Sequence, residues 1–272
     1  MKIPPVVLMA FVLMCGTAAA SIHGPYEGHP PAGLVAPDNV LQVPSHPQGY
    51  VMLVHGGGWL LVGKQYLETA DARWFEAQGW ATYDIDYRGG WNSMADVTAA
   101  YDHLRKMVGP STTVCVQGES AGATMAMLLA AERPSVACVI SEGGISDITT
   151  MPNPFRANVN TYVLPGHLWA FSPVREASLI KQPLLMAGSS WDKVVPESQQ
   201  MAEMKTARPS TKTMLLAGAP ILGSSNFVHA NIMVGALARF RAAEIGMLNR
   251  ATRQDRAPAK GWQIDALDGG VG

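Results

Sequence analysis

The stretch Gly118-Glu119-Ser120-Ala121-Gly122 holds the residues best suited to chemistry in this sequence. A serine between small neighbours can occupy a turn too sharp for bulkier residues, with its hydroxyl pushed into the open. The run before it, Thr112 to Gln117, reads as a strand, and Ala121 to Ala131 reads as a helix of small residues. A serine at such a junction meets fresh helix N-terminal amides, which favour negative charge. Type and position together suit a nucleophile for acyl transfer.

A second signal is His55-Gly56-Gly57-Gly58-Trp59, at the end of an apolar run Tyr50 to Val54. Consecutive glycines expose backbone N–H groups with no Cβ in the way. Acyl transfer needs such donors where the carbonyl oxygen becomes an anion, and loss of one typically costs about 2.7–4 kcal/mol of barrier. A serine also needs an imidazole to take its proton. Seven histidines are available: His23, His29 and His46 near the N-terminus, His55 in the glycine motif, His103 on a helix, His167 in a proline-rich segment, and His229 beyond the final strand.

The glycine motif, Asp86-Tyr87-Arg88 and the serine pentapeptide together resemble α/β-hydrolase esterases related to hormone-sensitive lipase and to the kynurenine formamidase/feruloyl-esterase-like branch. The resemblance covers roughly Val51 to Phe240. It implies that Ser120 attacks the acyl carbon and that the amides of Gly57, Gly58 and Ala121 form the oxyanion hole. His55 then holds the glycine loop. The chain order of such enzymes is serine, acid, histidine, which makes His229 the base in preference to His167. Asp192, followed by Val195-Pro196, matches the acid position, with a glycine-to-aspartate gap one residue longer than usual; Glu197 is the reserve. Asp147 matches a position with a structural role. Asp192 would orient His229 and stabilise the imidazolium without accepting its proton.

The expected activity is hydrolysis of small carboxylic esters through an acyl-enzyme. An arylformamidase-like amidase using the same triad is the alternative, and a catalytically inactive hydrolase fold serving as a binding protein is another. Trp59 is a candidate wall of the substrate pocket, as are Met94, Trp169 and Phe171, although core packing explains each equally well.

These residues need a scaffold. Strands are expected at Leu41–Val43, Tyr50–Val54, Trp80–Tyr87, Thr112–Gln117, Val136–Ile140, Pro183–Ala187 and Thr213–Leu216. Helical periodicity appears over Tyr66–Gln78, Met94–Met107, Ala121–Ala131, Glu197–Lys205 and Ala230–Glu244. Alternation of this kind predicts an α/β fold with a mostly parallel sheet covered on both faces. Prolines 152, 154, 165 and 173 break up the stretch from 151 to 181, which reads as a small lid inserted in a hydrolase domain of residues 21–252. Residues 253–272 read as a loose tail.

The chain has 272 residues and is 48% hydrophobic, enough for one large α/β domain. With 20 basic and 21 acidic side chains, it lacks the electrostatic footprint of a nucleic-acid or polybasic membrane partner. A small-molecule ester or amide is the expected partner. Lys2, the apolar run Val6–Met14 and Ala18-Ala19-Ala20 fit a signal peptide cleaved after Ala20, hence a secreted or periplasmic protein without stable membrane insertion. Cys115 and Cys138 fall in expected strands; pairing is open to them in an oxidising compartment, but buried free thiols are the default. Spacings for a metal site, a P-loop or a dinucleotide fold are missing from the sequence, so no cofactor is expected.

Overall fold

Valine, leucine and isoleucine recur on both sides of the central strands, and both sides are buried. In β2 (Tyr50–Val54), Val51 and Leu53 face one layer while Met52 and Val54 face the other, all essentially inaccessible. This is the pattern of a parallel strand covered on both faces. The computed structural model describes residues 39–60, 68–189, 192, 194–199, 212–216, 238–253 and 265–267, all within one compact unit, Val35–Gly272.

The described residues form an eight-stranded sheet in the order β1-β3-β2-β4-β5-β6-β7-β8. The strands are β1 (Val40–Gln42), β2, β3 (Ala81–Ile85), β4 (Val114–Glu119), β5 (Val139–Glu142), β6 (Leu184–Ser189), β7 (Lys212–Leu216) and β8 (Asp265–Leu267). Only β1 runs antiparallel, against β3 at one edge; the other pairings are parallel. The fold is the α/β-hydrolase type expected from the sequence. β8 lies within 253–272, where the sequence reading places only a tail.

Helix α1 (Glu68–Ala77) and α4 (Ala238–Thr252) cover one face through Ala72, Phe75, Met247 and Leu248. Helix α2 (Ser93–Val108) and α3 (Ala121–Glu132) cover the other. Of the apolar stripe expected on α2, Val97, Ala100, Tyr101 and Leu104 are buried, while Met107 in the last turn is exposed. In α3 every residue from Ala121 to Ala130 is buried, so its small side chains let it lie close to the sheet. Strand β5 starts three residues later than periodicity suggests and runs to Glu142, because its pairing with β4 continues to Glu119. Most of the helix expected at Glu197–Lys205 lies outside the described residues.

The free-thiol reading of the cysteines is corrected. Cys115 and Cys138 form a disulfide, with Cα atoms 4.6 Å apart. The physical reason is register. Val116 pairs with Val139, so the residues one step earlier are cross-strand neighbours and point to the same face.

Between β5 and β6, residues 151–181 contain a helical turn at Phe155–Asn158 that continues through Val159–Val163, and a 3-10 turn at Pro173–Glu176. Met151, Val159, Leu164, Phe171 and Ile180 anchor this excursion in the core, while Tyr162 and Trp169 stand exposed.

Candidate active site

Ser120 sits between the end of β4 and the start of α3 with φ 53° and ψ −118°. A non-glycine residue in that region is strained and persists only where its surroundings hold it. Its backbone N–H donates to the Glu142 carbonyl of β5 at 2.8 Å, and its carbonyl accepts from the Thr124 N–H at 3.1 Å. Thr124 in turn bridges to Ile145, donating from Oγ1 to the carbonyl and accepting from the N–H, each at 3.1 Å. The turn is thus fixed from both sides.

The small residues of the pentapeptide are required by contact. A Cβ on Gly118 would lie 2.3 Å from the Gly122 carbonyl oxygen. A Cβ on Gly122 would meet the Val54 and His55 carbonyl oxygens at 2.0 and 2.4 Å. The elbow therefore packs backbone to backbone on the end of β2, where the glycine motif begins. Gly56 closes the contact from the other side: a Cβ there would lie 3.2 Å from the Ser120 Cβ. Gly57, Gly58 and Trp59 all have positive φ, at 106°, 65° and 58°. Close packing thus brings together two motifs some sixty residues apart in sequence.

Asp86-Tyr87-Arg88, at the end of β3, braces that loop. His55 is 2% exposed and stacks on Tyr87 with ring centroids 4.0 Å apart. Its Nδ1 faces the Gly56 carbonyl at 2.7 Å and its Nε2 faces Asp86 Oδ1 at 3.1 Å. The Tyr87 hydroxyl donates to the His55 and Gly56 carbonyls at 2.8 and 3.0 Å. Arg88 grips Asp96, in the first turn of α2, through two bonds of 2.8 and 2.7 Å. Both His55 nitrogens are engaged with the loop and its brace, which fits a holding role.

Asp192, beyond β6, is 5% exposed. Its Oδ1 accepts from the Val194 and Val195 amides at 2.8 and 2.9 Å, which fixes the plane of the carboxylate. The reserve acid Glu197 is exposed. Asp147 caps the turn after β5, accepting from the Thr149 N–H at 2.8 Å and from Ser172 Oγ at 3.3 Å. His229 lies outside the described residues. His167 stands exposed, stacked on Trp91 at 5.9 Å.

Trp59 has no exposed surface and packs edge-on against Phe171 with centroids 6.1 Å apart, the core packing that the sequence left open for it. Gln199 went unread in the sequence. It accepts from the Asp147 N–H at 3.2 Å, donates to Thr150 Oγ1, and its carbonyl accepts from the Ser146 N–H at 3.0 Å. It links the loop after β5 to the segment after Asp192, and a lone glutamine carries no sequence pattern that would reveal this.

Residues 68–220, more than half of the chain, match the prolyl oligopeptidase family of peptidases. The chain belongs to the prolyl oligopeptidase family. The prolyl oligopeptidase match includes the serine elbow and Asp192 and stops short of the glycine loop on one side and of His229 on the other. A truncated carbohydrate esterase from gut microbiota is 14% identical, with a TM-score of 0.63 over 79% of this chain and 90% of that one. Est1E from Butyrivibrio proteoclasticus, solved with ferulic acid bound, is 18% identical, with a TM-score of 0.57 over 77% and 95%. A puromycin-hydrolyzing peptidase from Mycobacterium tuberculosis is 20% identical, with a TM-score of 0.61 over 85% of this chain and 38% of that one. These likenesses show the shared fold. No curated protein matches the sequence. Among the described residues of this prolyl oligopeptidase family member, no helix is long and apolar enough to cross a membrane.

Proposed function

We propose that this protein is an exported serine hydrolase that cleaves small carboxylic esters through an acyl-enzyme. The observation that carries the reading is the backbone of Ser120: a serine at positive φ, at the N-terminus of a buried helix, with the glycine loop pressed against it. Strain of this kind is held where function uses it.

In the proposed reaction Ser120 Oγ attacks the acyl carbon while His229 takes its proton. The carbonyl oxygen becomes an anion held by the amides of Gly57, Gly58 and Ala121. His229 then protonates the leaving alkoxide, and water, activated by the same imidazole, releases the acid. Asp192 orients the ring; its Oδ1 is already held by two backbone amides, so the carboxylate needs little reorganisation. The excursion 151–181 acts as the lid and sets which esters enter. The Cys115–Cys138 disulfide and the N-terminal pattern through Ala20 both support export, since such bonds persist in oxidising compartments.

Amide cleavage with the same residues is the second reading, favoured by membership of a peptidase family. A panel of short-chain aryl esters and N-formyl aromatic amides, run on wild type and Ser120→Ala, tests both. Ester turnover abolished by the substitution is the expected result. Wild-type turnover in the variant excludes Ser120 as the nucleophile, and higher kcat/KM on the amide selects the second reading. Labelling of Ser120 by a fluorophosphonate tests whether the protein is an enzyme at all.

A further inference from the structure

Beneath the serine elbow, on the sheet face covered by α1 and α4, lies a polar cluster that the proposed reaction does not use. Gln117 on β4 donates both hydrogens of its amide, to Asp71 Oδ2 of α1 at 2.8 Å and to Glu142 Oε1 of β5 at 2.6 Å. Arg241 of α4 pairs with Asp71 Oδ1 at 2.5 Å and with Glu244 Oε2 at 3.1 Å. The Trp74 ring covers the guanidinium, 4.3 Å from its centroid. Gln117, Glu142 and Glu244 are 4%, 1% and 0% exposed.

Three oxygens in this cluster have no hydrogen-bond partner among the described residues: Gln117 Oε1, Glu142 Oε2 and Glu244 Oε1. With all carboxyls ionised, each is an acceptor in a buried site, and among the described residues of the cluster Asp71, Glu142 and Glu244 would carry three negative charges against the one positive charge of Arg241. Glu119 on β4 adds a further negative group. Orphaned buried acceptors and unbalanced buried charge are both costly. The Glu142 and Glu244 carboxyls lie within hydrogen-bonding reach of each other. One proton between them converts an acceptor into a donor, lets one carboxyl bond the other and removes one charge.

We propose that Glu142 and Glu244 share one proton, and that this carboxyl pair latches the C-terminal helix α4 to the strand that supports the Ser120 backbone. Burial pushes the Glu142 carboxyl well above the usual carboxylate range, with Asp71, Glu244 and Glu119 adding to the push and Arg241 opposing it. Burial likewise raises Glu244 to about 8, with Arg241 again opposing and Asp71 adding. The proton belongs to the pair and leaves as the pair titrates.

The consequence for stability has a definite sign. The unfolded chain releases this proton near the ordinary value of 4.5, whereas the folded protein keeps it toward 8. Between those values the native state binds more protons than the unfolded state, so each step up in pH favours unfolding. The latch contributes fully below about 4.5 and is lost as pH rises through about 8.

Thermal melts of wild type and Glu142→Gln across this range test it. The glutamine keeps the acceptor for Gln117 and supplies a permanent donor for Glu244. The two melting temperatures should agree within error near pH 5, and the variant should lead by at least about 3 °C above pH 8. A difference that does not change with pH overturns the proposal. Should Glu142→Gln fail to fold, infrared spectroscopy of the wild type decides: a protonated-carboxyl stretch at pH 6.5, missing in Glu244→Gln, is expected, and its absence from the wild type overturns the latch. Neither readout uses turnover, so failure here leaves the ester-hydrolase reading standing.

Discussion

A Cβ on Gly122 would sit 2.0 Å from the carbonyl oxygen of Val54, so the helix that opens after Ser120 rests directly on the end of the strand that launches the glycine loop. Both contact partners are backbone, and neither can rotate away. Gly122→Ala should therefore force the two motifs apart. A destabilisation on the order of 3 kcal/mol is expected from overpacking, with fluorophosphonate labelling lost before the fold is. A chemical denaturation curve beside the labelling assay measures both effects.

Ser120 pays for its position in backbone strain, of order 1–3 kcal/mol for a non-glycine residue at such angles. Ser120→Gly should relieve part of it, while Ser120→Ala should not. Both variants are expected to be inactive. The glycine variant should be more stable than the alanine variant by about 1 kcal/mol, after the extra freedom glycine gives the unfolded chain is allowed for. Denaturation midpoints of the two variants, compared side by side, check the ordering.

Tyr87 holds two carbonyls of the glycine loop with one hydroxyl. Tyr87→Phe keeps the ring stacked on His55 and removes only the donor. The buried His55 carbonyl then loses this donor, the Gly56 carbonyl keeps only His55 Nδ1, and the loop that should supply the oxyanion amides loosens. A roughly tenfold fall in kcat with little change in KM is expected, about 1.4 kcal/mol of transition-state stabilisation. Steady-state kinetics on one ester is sufficient.

Much of this arrangement is written in the sequence, for reasons that can be named. Alternating apolar strands and amphipathic helices such as Ser93–Val108 disclose the layers because burial imposes their periods. The elbow is legible because only glycine tolerates the contacts at 118 and 122. What stayed hidden depends on partners distant in the chain. Cys115 and Cys138 look like two ordinary buried residues until strand register makes them neighbours. Gln117, Glu142 and Glu244 are three unremarkable letters whose meaning arises only where β4, β5 and α4 meet.

The disulfide should matter thermodynamically. Its cysteines are 23 positions apart, and closing a loop of that size is worth about 3 kcal/mol in the chain-entropy estimate. Cys115→Ala with Cys138→Ala, which leaves no buried hydroxyl behind, should lose that amount. Urea denaturation of the double variant, and of wild type with and without reductant, checks it.

That same bond encloses β4 from Cys115 onward, Ser120 and all of α3 in a covalent hoop. A protease cutting any peptide bond inside the hoop would leave both fragments tethered. The nicked protein would migrate at full length on a non-reducing gel and fall into two pieces once a thiol is added.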